Sequence, residues 1–178
     1  MKQKRKKRDP RALHEETMLV FLKTLSSLKR KVSVSQVIAK IQAKEEALRT
    51  TRGIAVIKHL QKDGYIRLEG GVYPILAEKG HLYLESFAQR QKTHWDKRFR
   101  IILFESIHTT RNHREYMRKK IKEYGFMHLE RGVWIYPYAC DAFIHLLQLE
   151  YPLESPLTYI IAQDNETMLP VRKYFRLR

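Results

Sequence analysis

Glu105 closes an apolar run, Ile101 to Phe104, within the stretch RIILFESIHTTR, and the pattern turns polar after it. That reads as a short buried strand ending in a carboxylate. A strand-end carboxylate can hold Mg²⁺ against a phosphate and activate water, the chemistry of a metal-dependent nuclease. One carboxylate per chain is thin for this, but two copies facing each other across a two-fold axis could share one metal. His108 and Asp141 are helpers by residue type, yet nothing in the sequence places them beside Glu105. The plainer reading pairs Glu105 with an Arg or Lys. Cys140 and His145 suggest a thiol nucleophile, but residues five apart do not share a helix face. His108 and His113 lack a second paired ligand at metal spacing. No catalytic residue, metal ligand or cofactor is therefore assigned; Glu105 with Mg²⁺ is the alternative.

The charge balance points elsewhere. Lys and Arg number 35 against 19 Asp and Glu, a formal net charge of +16 over 178 residues. Self-repulsion of that size favours a polyanionic partner. Double-stranded DNA leads, with an RNA- or ribosome-binding module as the weaker reading. No apolar run is long enough to span a membrane. The basic start MKQKRKKRDP lacks the apolar region of a secretory signal. A single cysteine, Cys140, excludes an intramolecular disulfide and a Cys-rich zinc site. A cytoplasmic, soluble protein is expected.

The elements that would meet such a partner come first in the chain. Residues 1–9 read as a disordered basic arm. Asp9-Pro10 then opens a helix over about 10–29, with Leu13, Thr17, Val20, Phe21, Thr24, Leu25 and Leu28 at helical spacing. Ser33 and Gln36 form a capping box for a second helix carrying Val37, Ile38 and Ile41. A third helix covers about 48–62, with Leu48, Ile54, Ile57 and Leu60 toward the core and Gly64 as its left-handed stop. Two β-prone runs flank Gly70-Gly71, a hairpin signal, and a short helix follows. Three helices, a two-stranded wing and a helix make a winged helix-turn-helix over 10–89. Its third helix should enter the major groove. Arg49, Thr50, Thr51, Arg52, Lys58 and His59 are the candidate DNA contacts there, with Arg67 on the wing.

Residues 90–96 read as a polar, basic linker, and the rhythm changes after it. A strand at Phe99–Glu105, a helix at Thr109–Tyr124 with Tyr116, Met117, Ile121 and Tyr124 on one face, strands at 126–130 and 132–136, a helix at Cys140–Leu149 and a strand at Thr158–Ala162 follow in order. The order βαββαβ is ferredoxin-like. The tail LPVRKYFRLR alternates in part and could add an edge strand. Arg111, Arg114, Arg118, Lys119 and Lys122 give the domain a basic helix that could extend a DNA footprint. The fold class is thus α+β, a winged helix-turn-helix followed by a ferredoxin-like domain over 97–178.

The stretch HWDKRFRIILFESI…YMRKKIKEYGFMHLERGVWIYPY resembles the central domain of the PaaX family of transcriptional repressors. The likeness rests on Trp95-Asp96, the strand at 99–104, Gly125-Phe126, and Gly132-Val133-Trp134-Ile135 with Pro137. That domain is itself similar to the small CRISPR-associated endonuclease, a ferredoxin-like homodimer. The resemblance implies a homodimeric, DNA-binding regulator, probing a palindromic operator as a repressor. It also implies a small-molecule effector of the acyl-CoA type, although PaaX proteins continue into a further C-terminal domain beyond the part matched here. The alternative is a metal-dependent CRISPR-associated endonuclease or a structural subunit of a CRISPR adaptation complex. The nuclease pattern ends its first strand with Asp where this chain has Glu105, one methylene longer, and active sites tolerate such displacement badly.

Overall fold

The computed structural model describes residues 10–44, 52–92, 94–104, 110–150 and 157–177. The arm expected at 1–9 lies outside them. The chain forms two compact units that meet in sequence between Leu84 and Glu85.

The first unit holds α1 (Pro10–Ser26), α2 (Val34–Lys44), α3 (Arg52–Lys62), the strands β1 (Ile66–Glu69) and β2 (Tyr73–Leu76), and the start of α4 (Glu78–Arg90). Phe21, Leu22 and Leu25 of α1 meet Val37 and Ile41 of α2 and Val56, Ile57 and Leu60 of α3 in one core. The Ser33 box caps α2 as its spacing implies. The Ser33 backbone N–H donates to Gln36 Oε1 at 2.9 Å, and the Gln36 N–H donates back to Ser33 Oγ at 3.4 Å. Each side chain satisfies a backbone donor that the first helical turn leaves without a partner.

One expected core residue is on the surface. Ile54 is 56% exposed, and Val56 is buried in its place. The reason is Gly53, whose missing side chain lets α3 approach α2. A Cβ there would lie 3.0 Å from Ile38 Cγ2. With Gly53, Val56, Ile57 and Leu60 facing inward, the helical period carries Ile54 off the buried stripe. Leu48, expected on the same face, lies outside the described residues.

The wing is an antiparallel hairpin pairing Ile66 with Leu76 and Glu69 with Tyr73. Gly70 and Gly71 turn it at φ 58° and 73°. Two consecutive left-handed residues match the twist of a tight hairpin, and glycine adopts them without strain.

The second unit begins with the last residues of α4 and continues through β3 (Arg98–Phe104), α5 (Arg111–Tyr124), β4 (Met127–Glu130), β5 (Val133–Tyr136), α6 (Asp141–Glu150), β6 (Leu157–Gln163), a 3₁₀ turn (Glu166–Met168) and α7 (Leu169–Phe175). Its division from the first unit falls inside α4, ahead of the polar stretch 90–96. Within this unit Ser86 O accepts from the Tyr124 hydroxyl, and Gln89 Oε1 accepts from the Ala142 N–H.

The sheet order is β4-β5-β3-β6, antiparallel throughout, the ferredoxin-like arrangement. Ile102 and Phe104 of β3, Trp134 and Tyr136 of β5, Met117 and Ile121 of α5, and Phe143, Ile144 and Leu147 of α6 form the larger core. Phe99 and Ile135 face the other way, with Val171 of α7 buried against them. The tail is thus a helix, not the edge strand its partial alternation suggested. Pro170 sits in the first turn, where its missing N–H costs nothing, and Arg176 ends the helix in the left-handed conformation. Tyr116, expected on the buried face of α5, is 48% exposed, because Met117 and Ile121 fix that face one residue further round.

Candidate nucleic-acid interface

The outward side of α3 follows from its buried stripe. With Val56, Ile57 and Leu60 inside, Ala55, Lys58 and His59 are exposed together with Ile54. Lys58 makes no ion pair among the described residues. Arg49, Thr50 and Thr51 lie outside the described residues, as does the side chain of Arg52. The described part of the helix therefore presents Lys58, His59 and Lys62 to solvent together with Ile54, Ala55 and Gln61.

Beside it in sequence, the wing turns Arg67 outward while its neighbour Ile66 enters the core. The wing tip is tied to the start of α2. The Val34 N–H donates to Val72 O at 3.2 Å, and Lys31 Nζ pairs with Glu69 at 2.9 Å. That ion pair is exposed and adds little energy by itself, but with the backbone bond it fixes where the tip sits. Val72 and Tyr73 are exposed at the tip. Sequence reasoning marked the hairpin through its glycines and missed these two, since nothing local distinguishes an exposed wing-tip aromatic from a strand residue in the core.

In the second unit the basic residues of α5 do not form one uniform surface. Arg111 pairs with Glu115 at 2.9 Å and Lys119 with Glu123 at 3.5 Å, each one helical turn on. Arg114 is half-buried, and Arg118 and Lys122 are exposed. Lys120 is inward and pairs with Glu150; burial works against its charge, but the carboxylate outweighs it and raises its pKa. Glu105 and His108 lie outside the described residues. Among the described residues no three His, Cys, Asp or Glu side chains come together as a metal-binding group. Cys140 is fully buried, and burial pushes its thiol up to about 12, so it is held as a neutral, unreactive thiol. His145 is exposed on α6, whereas Cys140 is buried just ahead of that helix.

The most distinctive side chain is Arg100, buried in the middle of β3. Its guanidinium grips Asp96 with two bonds of 2.6 Å and donates to Pro137 O at 3.1 Å. A bidentate pair of this kind is short and charge-assisted. The Arg100 hydrogen bond holds the Asp96 carboxyl below its usual range, against the opposing effect of burial. Residues 92–172 match the family model of the PaaX protein central Cas2-like domain. The second unit is thus similar, over most of its length, to that PaaX central domain. No curated protein matches the chain. A solved structure, the uncharacterized protein Rv0674 from Mycobacterium tuberculosis, is 19% identical with a TM-score of 0.39, over 93% of this chain and 66% of that one. The chain thus spans just under two thirds of that protein.

Within residues 92–172, the side chains that carried the resemblance hold the fold together. Asp96 neutralises Arg100, and the Pro137 carbonyl takes a further guanidinium proton. Trp95 donates its indole N–H to Arg98 O and tilts against Phe99 at 5.6 Å. Gly132, at φ 78°, passes so close to β3 that a Cβ would sit 2.8 Å from Phe104 O. Trp134 lies in the core. The described part of the domain therefore reads as a scaffold. No helix is long and apolar enough to cross a membrane among the described residues.

Proposed function

We propose that the protein is a DNA-binding transcriptional regulator, a repressor that acts as a homodimer on a palindromic operator. The observation that carries this reading is the outer face of α3, where Lys58 and His59 stand exposed beside Ile54 and Ala55 on a helix followed by a wing bearing Arg67. A helix of this kind places short apolar and cationic groups against base edges and phosphates in a major groove. The net charge of +16 supplies the attraction for the phosphate backbone. The PaaX-type central domain supports the reading, since the resemblance implies a regulator and a two-fold dimer would space two winged helices on a palindrome.

The test is binding of the full chain to its own upstream region and to random duplex of equal length, by fluorescence anisotropy at fixed salt. The upstream region should bind at least about a thousandfold more tightly. Equal affinity for the two would remove the regulator reading. Lys58→Ala and Arg67→Ala should each weaken operator binding, and sedimentation of the complex should give two chains per site. For the nuclease alternative, incubation with Mg²⁺ or Mn²⁺ should leave duplex and single-stranded substrates intact; cutting that Glu105→Ala abolishes would restore that alternative.

A further inference from the structure

A groove of about 690 Å³ on the second unit gathers cations and aromatic rings, none of them from α3 or the wing. Arg118 and Lys122 of α5 line one part, His128 and Arg131 of the β4–β5 hairpin another, with Trp134 and Tyr174 completing it. This is the size of site that holds a small molecule or a short stretch of a larger one.

Three observations separate it from the rest of a basic surface. The acidic residues of α5 are committed elsewhere, Glu115 to Arg111 and Glu123 to Lys119, while Arg118, Lys122 and Arg131 have no ion-pair partner among the described residues. Three like charges sharing one groove repel one another, and a multiply charged anion relieves that repulsion. Tyr174 is 63% exposed, held at its edge by Phe175 at 4.9 Å, which leaves ring surface open to solvent. Finally, Trp134 is 6% exposed and its indole N–H has no acceptor, with the His128 ring 4.6 Å away. A buried donor without an acceptor is rare in a native fold and asks for an explanation.

We propose that this groove binds a nucleotide unit, with phosphate oxygens on Arg118, Lys122 and Arg131 and the base against Tyr174. The guanidiniums match phosphate in fork geometry, and a planar base stacks on an aromatic ring whatever its sequence. The Trp134 N–H supplies a donor to the ligand once the His128 ring turns aside. The unit comes either from a free nucleotide or from a single strand, and both present the same phosphate and base. The site does not involve α3 or the wing, so it stands or falls apart from the operator reading.

Calorimetry on the full chain with ATP, inorganic pyrophosphate and hexathymidylate tests it. Arg131→Ala and Lys122→Ala should each weaken all three about tenfold. Tyr174→Ala should weaken ATP and hexathymidylate about fivefold or more and leave pyrophosphate unchanged, because only the base uses the ring. Lys92→Ala removes the same charge from an exposed position outside the groove and should change nothing. Thermal melts that match the wild type keep the comparison one of binding rather than folding. Tighter ATP than hexathymidylate assigns a free nucleotide, and the reverse assigns a strand. The proposal is overturned if none of the three probes binds, if Lys92→Ala costs as much as Arg131→Ala, or if Tyr174→Ala weakens pyrophosphate as much as ATP.

Discussion

At the scale of single residues, Arg100 shows how a buried charge is tolerated. Its side chain is 7% exposed and keeps its charge because Asp96 meets it with two bonds. Removing one partner of such a pair strands the other, which is more damaging than never having had the pair. Asp96→Asn should therefore destabilise the second unit by about 2 kcal/mol, less than for a fully buried pair because the carboxylate is partly solvated. Chemical denaturation of the two proteins at pH 7 measures it. The pH dependence follows from the sign of the shift. The folded-state pKa of Asp96 lies below its ordinary 3.8, so the pairing contributes in full above that value and is lost as pH falls through the folded pKa. The stability gap between wild type and Asp96→Asn should hold from neutral pH to about pH 5 and close on further acidification.

At the scale of elements, two local devices place α3 and the wing. The first is the Ser33–Gln36 box on α2, the helix against which Gly53 seats α3. Ser33→Ala should cost about 1 kcal/mol of stability, as loss of a helix cap generally does, and Gln36→Ala should cost part of the same energy because the two side chains cap reciprocally. The double variant, compared with the two singles by thermal melting, measures that shared part. The second device is Gly80, where α4 passes Tyr65, the residue before β1. A Cβ there would lie 2.2 Å from Tyr65 O, a backbone atom that cannot step aside. Gly80→Ala should destabilise the first unit by about 2 kcal/mol or more, in the range of overpacked cores, whereas Gly64→Ala meets open space and suffers only from its left-handed backbone. Comparing the two melts separates steric clash from backbone strain.

At the scale of the whole molecule, the charge of +16 sets how any nucleic acid would be held. If a dimer on its operator neutralises half a dozen phosphates, affinity should fall about a thousandfold between about 50 and 200 mM salt, and Lys58→Ala should flatten the dependence. Anisotropy titrations across that range measure both. Affinity that barely responds to salt would mean that base contacts or shape, not phosphates, dominate.

The order of elements in both units could be read from the chain because hydrophobic spacing, the Ser33 box and the Gly70-Gly71 turn are local signals that act over a few residues. The exposure of Lys58, His59 and Arg67 could be read for the same reason, since each stands opposite a recognisable apolar neighbour. Ile54 could not: its exposure depends on Gly53 letting α3 close on α2, a contact between two helices. The tail could not either, because short alternation suits a strand or a helix equally until the tail packs Val171 against Phe99 and Ile135. Nor could the groove, whose lining comes from α5, the β4–β5 hairpin and α7, bringing together residues as far apart in sequence as Arg118 and Tyr174. The sequence by itself determined which segments ahead of the tail are helix, strand and turn, and that the chain is strongly cationic. Only the tertiary structure decided where the buried stripe of α3 and α5 ends, which cations are already paired, and which are left to meet a partner. Those outcomes depend on packing between segments distant in sequence, and no local pattern encodes that.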